Sequence, residues 1–170
     1  MEVVMKKVIL LRLMQVVLLV PPALREWMNT LTDSVQIKSE TSFLAKVMQF
    51  PTAANTGTVV DRSIDASWVV HLGVWSLVFM HFATALLITW GIIELLCHLR
   101  VSDQRYQVYK TYAQIGLCFG IFFYTFFFGF MASDVFLSFM QGDSFDTSIL
   151  VMIVPMGFAL LFLNTRFHSN

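Results

Sequence analysis

Residues Ser67 to Leu99, SWVVHLGVWSLVFMHFATALLITWGIIELLCHL, contain no Lys, Arg or Asp, and Glu94 is their only carboxylate. A helix of this length, rising ~1.5 Å per residue, runs roughly 45–50 Å and exceeds the ~30 Å hydrocarbon core of a bilayer. It reads as a membrane-spanning helix with turns to spare at its ends. Such a helix satisfies its own backbone in lipid, so its polar side chains have to face protein or water. His81 stands near its middle, among Phe79, Met80 and Phe82.

Composition extends this reading to the whole chain. Of 170 residues, 57% are hydrophobic and 13% charged, against about a quarter charged in soluble domains. The expectation is an all-α integral membrane protein, one helical bundle with no separate soluble domain. Cys97 and Cys118 do not make a disulfide framework and are expected reduced. No nucleophile elbow, phosphate loop, metalloprotease or dinucleotide motif occurs, so no catalytic residue and no metal site is assigned. Nothing in the loops suggests nucleic-acid binding.

In chain order the hydropathy predicts spans over about 8–28, 67–97, 111–132 and 148–165, with a polar connection over 29–66. The first carries Pro21 and Pro22, where a kink is expected. It reads as an uncleaved helix, because no small-x-small cleavage site follows and Arg12 interrupts the apolar run. Arg25, Glu26 and Trp27 fit its exit at the far interface. Within the long connection, SFLAKVMQF predicts a short amphipathic helix on the membrane surface, capped by Thr41 or Ser42 and ended by Pro51. The third helix starts near Thr111. If it continues past Asp134, it and the start of the central helix project together as a stalk. Asp134, Asp143 and Asp146 lack the spacing of a calcium loop, and Asp146 or Thr147 is the expected cap of the last helix.

Charge distribution orients this four-span bundle. The N-terminus, second loop and tail hold Lys6, Lys7, Arg12, Arg100, Arg105, Lys110 and Arg166. The opposite side has four basic residues among eight acidic ones. The positive-inside rule then puts both termini in the cytoplasm, and the connection 29–66 in the periplasm of a bacterial inner membrane.

Several residues stand out for contact or chemistry. On a helical wheel Gly73, Thr84 and Gly91 share one line of the central helix, with Glu94 beside it. His81, Ala85 and Thr89 lie on a second line. Two small or polar faces make this helix the hub of the bundle, and His81, Thr84, Thr89 and Glu94 are its candidate ligand or partner contacts. Gly73, Gly91, Gly116 and Gly120 are expected to admit close helix packing. For His81 the open readings are a neutral imidazole bonded to a neighbouring helix, a polar contact to a ligand, a haem ligand or a proton relay. No other helix offers a histidine at its depth, so haem or quinone would require a partner subunit. Glu94 is expected to snorkel toward Arg100 or water. The aromatic run Phe119–Phe130 reads as lipid-facing and packing surface.

The first helix followed by NTLTD (Asn29 to Asp33), the short helix around Phe43 to Met48, ATALLITWG (Ala83 to Gly91) and the acidic third loop together resemble a bacterial family of predicted small integral membrane proteins of unknown function. In that family a glutamate often stands where this sequence has His81. The resemblance implies a four-span membrane fold and no activity. The functional expectation is therefore a non-enzymatic accessory or structural subunit contacting lipid and other integral membrane subunits, without a cofactor of its own. Alternatives are a redox-chain subunit touching quinone or haem through His81, and a small-solute transporter.

Overall fold

A computed structural model describes residues 2–48, 67–127 and 145–165. The elements are α1 (Glu2–Val35), α2 (Ile37–Met48), α3 (Ser67–Cys97), α4 (Asp103–Tyr109), α5 (Thr111–Phe123) and α6 (Phe145–Asn164). After Phe123 the chain widens into a π-helical turn over 124–127. No strand occurs among the described residues, and the fold is the expected all-α bundle. Two helices, over Met5–Val35 and Ser67–Cys97, are long and apolar enough to cross a membrane.

The four long helices pack as a ring in the order α1, α3, α5, α6, with α6 returning against α1. Their sense alternates: Arg12 of α1 meets the carbonyls that follow α3, while Lys110, just before α5, meets the C-terminal end of α6. Polarity within the ring is inverted relative to a soluble bundle. Along α1 the buried positions are Arg12, Gln15, Val16, Leu19, Ala23, Glu26 and Thr30, while Leu10, Val17, Leu24, Met28 and Leu31 face outward. The recurring three- and four-residue spacing defines one helical stripe that carries the polar side chains inward. On α3, Leu72, Trp75, Phe79, Leu86 and Ile93 are likewise exposed. An apolar exterior of this extent matches a lipid surround rather than water.

Small residues set the α3–α5 spacing. A Cβ on Gly91 would collide with the backbone and side chain of Ala113, and one on Gly116 would lie 2.9 Å from the backbone nitrogen of Ile88. A Cβ on Gly120 would lie 2.8 Å from the Met156 sulfur and 2.9 Å from the Thr84 methyl. Gly73 is only half-buried. The close approach of α5 lets van der Waals contact hold a seam that gains nothing from hydrophobic exclusion in lipid.

One end of the ring is closed by two buried cations. The Arg12 guanidinium donates to the Leu99 carbonyl at 2.6 Å and the Val101 carbonyl at 2.7 Å, pairs with Asp103, and lies 4.2 Å above the Tyr106 ring. Lys110 Nζ donates to the Leu163 carbonyl at 2.7 Å and approaches the same ring at 5.4 Å. Gln15 adds a bond to the Phe162 carbonyl at 3.0 Å. These carbonyls lie at or just beyond the C-terminal ends of α3 and α6, where cations also oppose the negative end of the dipole.

Four details differ from the sequence reading. α1 does not end at Met28 but runs through Val35, because its polar residues after Met28 find partners inside the bundle. The surface helix begins at Ile37, so Thr41 and Ser42 sit within it, their hydroxyls donating to the carbonyls of Ile37 and Lys38. The second loop contains α4, and α6 starts at Phe145, ahead of the expected cap at Asp146 or Thr147. The expected stalk lies outside the described residues.

Two outcomes follow from this packing. Gly116→Ala is expected to cost about 1–3 kcal/mol by overpacking, while Gly157→Ala, which would meet nothing within 4 Å, stays near neutral. Reversible unfolding in mixed micelles measures both. Burial pushes the Tyr106 phenol up from 10.0 to about 12, against the pull of Arg12. The stability it contributes is present below the ordinary tyrosine value and lost as pH rises through about 12. Tyr106→Phe should flatten this alkaline loss. It should leave stability at neutral pH unchanged or higher, since the buried hydroxyl has no hydrogen-bond partner among the described residues.

Candidate functional site

Toward the opposite end of the ring, side chains from α1, α3 and the π-turn meet in the interior. Glu26 has no exposed surface. Its Oε2 lies 2.8 Å from His81 Nδ1, and its Oε1 accepts the Tyr124 hydroxyl at 2.8 Å. Asn29 Nδ2 donates to the Tyr124 oxygen at 3.1 Å, and that oxygen lies 3.2 Å from His81 Nδ1. On its other side His81 presents Nε2 to Asp33 Oδ2 at 3.5 Å. Phe123 closes the imidazole edge-on, with ring centroids 5.1 Å apart and planes at 89°.

With Nδ1 protonated, His81 donates to one oxygen of Glu26 and Tyr124 donates to the other, while Asn29 donates to the phenol oxygen. Nε2 then faces Asp33 across 3.5 Å, a contact that is favourable only with a further proton on the ring or on the carboxyl. A buried carboxylate is sustained only when both oxygens are satisfied in this way, because its desolvation is otherwise uncompensated. Tyr124 follows directly on buried Phe123 at the start of the π-turn, and both side chains are buried.

Exposure is graded along the cluster. The side chain of Glu26 is fully enclosed, that of His81 is 5% exposed and that of Asp33 is 21% exposed. Toward the Arg12 end the interior is apolar, filled by Val16, Leu19, Ala23, Ile88 and Leu117. Arg12 and Glu26 are fourteen positions apart on α1, or about 21 Å along a helix. The cluster thus has a partly exposed end at Asp33 and an enclosed end at Glu26.

The other sequence-singled residues serve elsewhere. Thr84 donates to the Met80 carbonyl at 2.8 Å and covers Gly120 with its methyl group. Thr89 accepts the indole N–H of Trp27 at 3.0 Å, tying α3 to α1. Glu94 lies at the closed end beside His98, whose Nδ1 is 2.7 Å from the Glu94 carbonyl oxygen and 3.4 Å from its carboxylate. His98 stacks on Tyr109 with ring centroids 3.6 Å apart. Cys97 and Cys118 are free and exposed. Sequence reasoning missed the partners of His81. Glu26 and Trp27 are not an interfacial exit but inward-facing contacts, and Tyr124 lies buried on the packing side of a run read as lipid-facing and packing surface. Phe122 and Phe126 of that run do face outward. The available signal was the stripe through Arg12, Gln15, Leu19, Glu26, Thr30 and Asp33.

Residues 11–166 match the family model described as predicted small integral membrane protein (DUF2165). The chain belongs to this family. It is accordingly an integral membrane protein in contact with the lipid bilayer, from a family of unknown function. No curated protein and no solved structure matches it.

The membrane setting sharpens the energetics of the cluster, since a stranded acceptor there has no water to turn to. Tyr124→Phe removes one of two donors to Glu26 and is expected to destabilise by about 1–3 kcal/mol. The comparison is Thr125→Val, whose exposed hydroxyl bonds only to its own helix and whose loss should cost little. Unfolding midpoints in mixed micelles report the difference.

Proposed function

We propose that this protein is a non-enzymatic four-span bundle that binds protons reversibly at the Glu26–His81–Asp33–Tyr124 cluster and exchanges them with one aqueous face. The observation that carries the reading is the imidazole bridging an enclosed carboxylate and a half-buried one, 2.8 Å and 3.5 Å away. An ionisable group within a membrane segment is costly and marks a functional site by default. Here three such groups converge with a phenol. The titratable and charged groups around His81 are Glu26 and Asp33 of α1, Glu40 of α2 and Tyr124 after α5, with Arg25 acting on Tyr124. Binding rather than conduction is favoured by the apolar packing of Val16, Leu19, Ala23, Ile88 and Leu117 between Glu26 and the Arg12 end, a layer in which the described residues place no further carboxylate or imidazole.

The basic excess at the Arg12 end supports an inner-membrane orientation with cytoplasmic termini, so that Asp33 faces the periplasm. The accessory-subunit reading drew on two contact faces of α3. Both are occupied by the chain's own α1 and α5, so those faces lend it no support. Haem ligation by His81 is disfavoured because each imidazole nitrogen already faces a carboxylate.

Nitrogen-15 NMR of His81 in lipid nanodiscs across a pH titration tests the reading, together with a trapped pH dye in proteoliposomes. The expected result is a reversible change in ring protonation that Glu26→Gln displaces, without steady proton flux to the lumen. A ring whose protonation never changes would overturn proton binding. Sustained flux abolished by His81→Gln would make the protein a conductor instead.

A further inference from the structure

Glu26, Asp33 and Glu40 follow one another at intervals of seven residues. In a helix this spacing returns to nearly the same face with about 10 Å of rise per step. The interval survives the junction between α1 and α2, where only Gln36 intervenes. The Gln36 amide donates to the Thr32 carbonyl at 2.9 Å and the Glu40 amide to the Gln36 carbonyl at 3.0 Å, so Gln36 is bonded at helical spacing to both helices. α2 also contacts α3, and the spacing sets Glu40 about 10 Å beyond Asp33 along the chain of helices.

Glu26 is enclosed, whereas Asp33, with 21% side-chain exposure, and Glu40 are both partly exposed. His81 fills the gap between the first two. Glu40 also feels the cluster electrostatically: burial first and Asp33 second raise its carboxyl from the ordinary value, while His81 pulls it down. Lys38, on the same short helix, is exposed.

We infer that Glu40 is the proton-collecting residue of this site, passing protons through Asp33 to His81, and that α2 is its access element. This rests on the proton-binding reading above and adds the route and the side of entry. A surface carboxylate held near a buried acceptor captures protons from solvent and buffer more often than the buried group itself does, so its removal slows exchange without removing the acceptor. No covalent step is involved; each transfer moves one proton from a donor to an acceptor and leaves the net charge conserved.

The test is a rapid pH jump on the full-length protein in nanodiscs, with the His81 and carboxyl infrared bands followed in time, beside the equilibrium titration of the same samples. In Glu40→Gln the equilibrium titration should persist and the exchange rate should fall below that of the wild type. Glu40→Asp and a small weak-acid buffer should each restore the rate. Asp33→Asn should slow exchange further, with no rescue from Glu40. If Glu40→Gln exchanges at the wild-type rate while His81 still titrates, the collecting role is overturned and the proton-binding reading stands. If His81 fails to titrate in the wild type, it is the proton-binding reading that fails.

Discussion

A carboxylate with no exposed surface and an imidazole almost as enclosed sit 2.8 Å apart in a chain whose outer surface is apolar. Neither group is tolerable alone at that depth, and each is what makes the other tolerable. Much of the architecture can be read as a consequence. α1 has to keep its polar stripe turned inward past Met28 so that Glu26, Asn29 and Asp33 reach the cluster. α3 has to present His81 to α1 while giving its glycine and threonine face to α5. The chain just after α5 has to turn Tyr124 inward so that it can supply the second donor to Glu26.

The opposite end obeys the same constraint with the charge reversed. Arg12 and Lys110 are buried, yet each is saturated by main-chain carbonyls at or just beyond the C-terminal ends of α3 and α6. Their positive charge neutralises helix dipoles and stays structural. At the Glu26 end carboxylates surround one imidazole. The polar interior is thus divided into a cation lock and a carboxylate–imidazole cluster, separated by an apolar layer.

The all-α membrane class was legible from the absence of charge over Ser67–Leu99 and from composition, and both packing lines on α3 were visible on a helical wheel. What the sequence concealed was pairing across helices. Glu26 follows Arg25 and precedes Trp27, a local context that resembles an interfacial exit, and only its phase with Arg12, Gln15 and Leu19 betrays that it turns inward. Tyr124 was hidden by its neighbours, since an aromatic run has no helical phase of its own to separate Phe122 from Phe123. Thr41 and Ser42 misled because hydroxyl residues cap helices but also bond back within them. The family membership fixes the membrane setting and leaves the chemistry to the side chains.

The central claim is that Glu26 and His81 form one interdependent unit on which the bundle relies. A double-mutant cycle with Glu26→Leu and His81→Leu, read by reversible unfolding in mixed micelles, addresses it directly. Each single replacement strands a buried polar partner, whereas the double replacement strands neither. The account predicts that the double variant is more stable than the sum of the two losses by about 1–3 kcal/mol. Strict additivity of the two losses would contradict it.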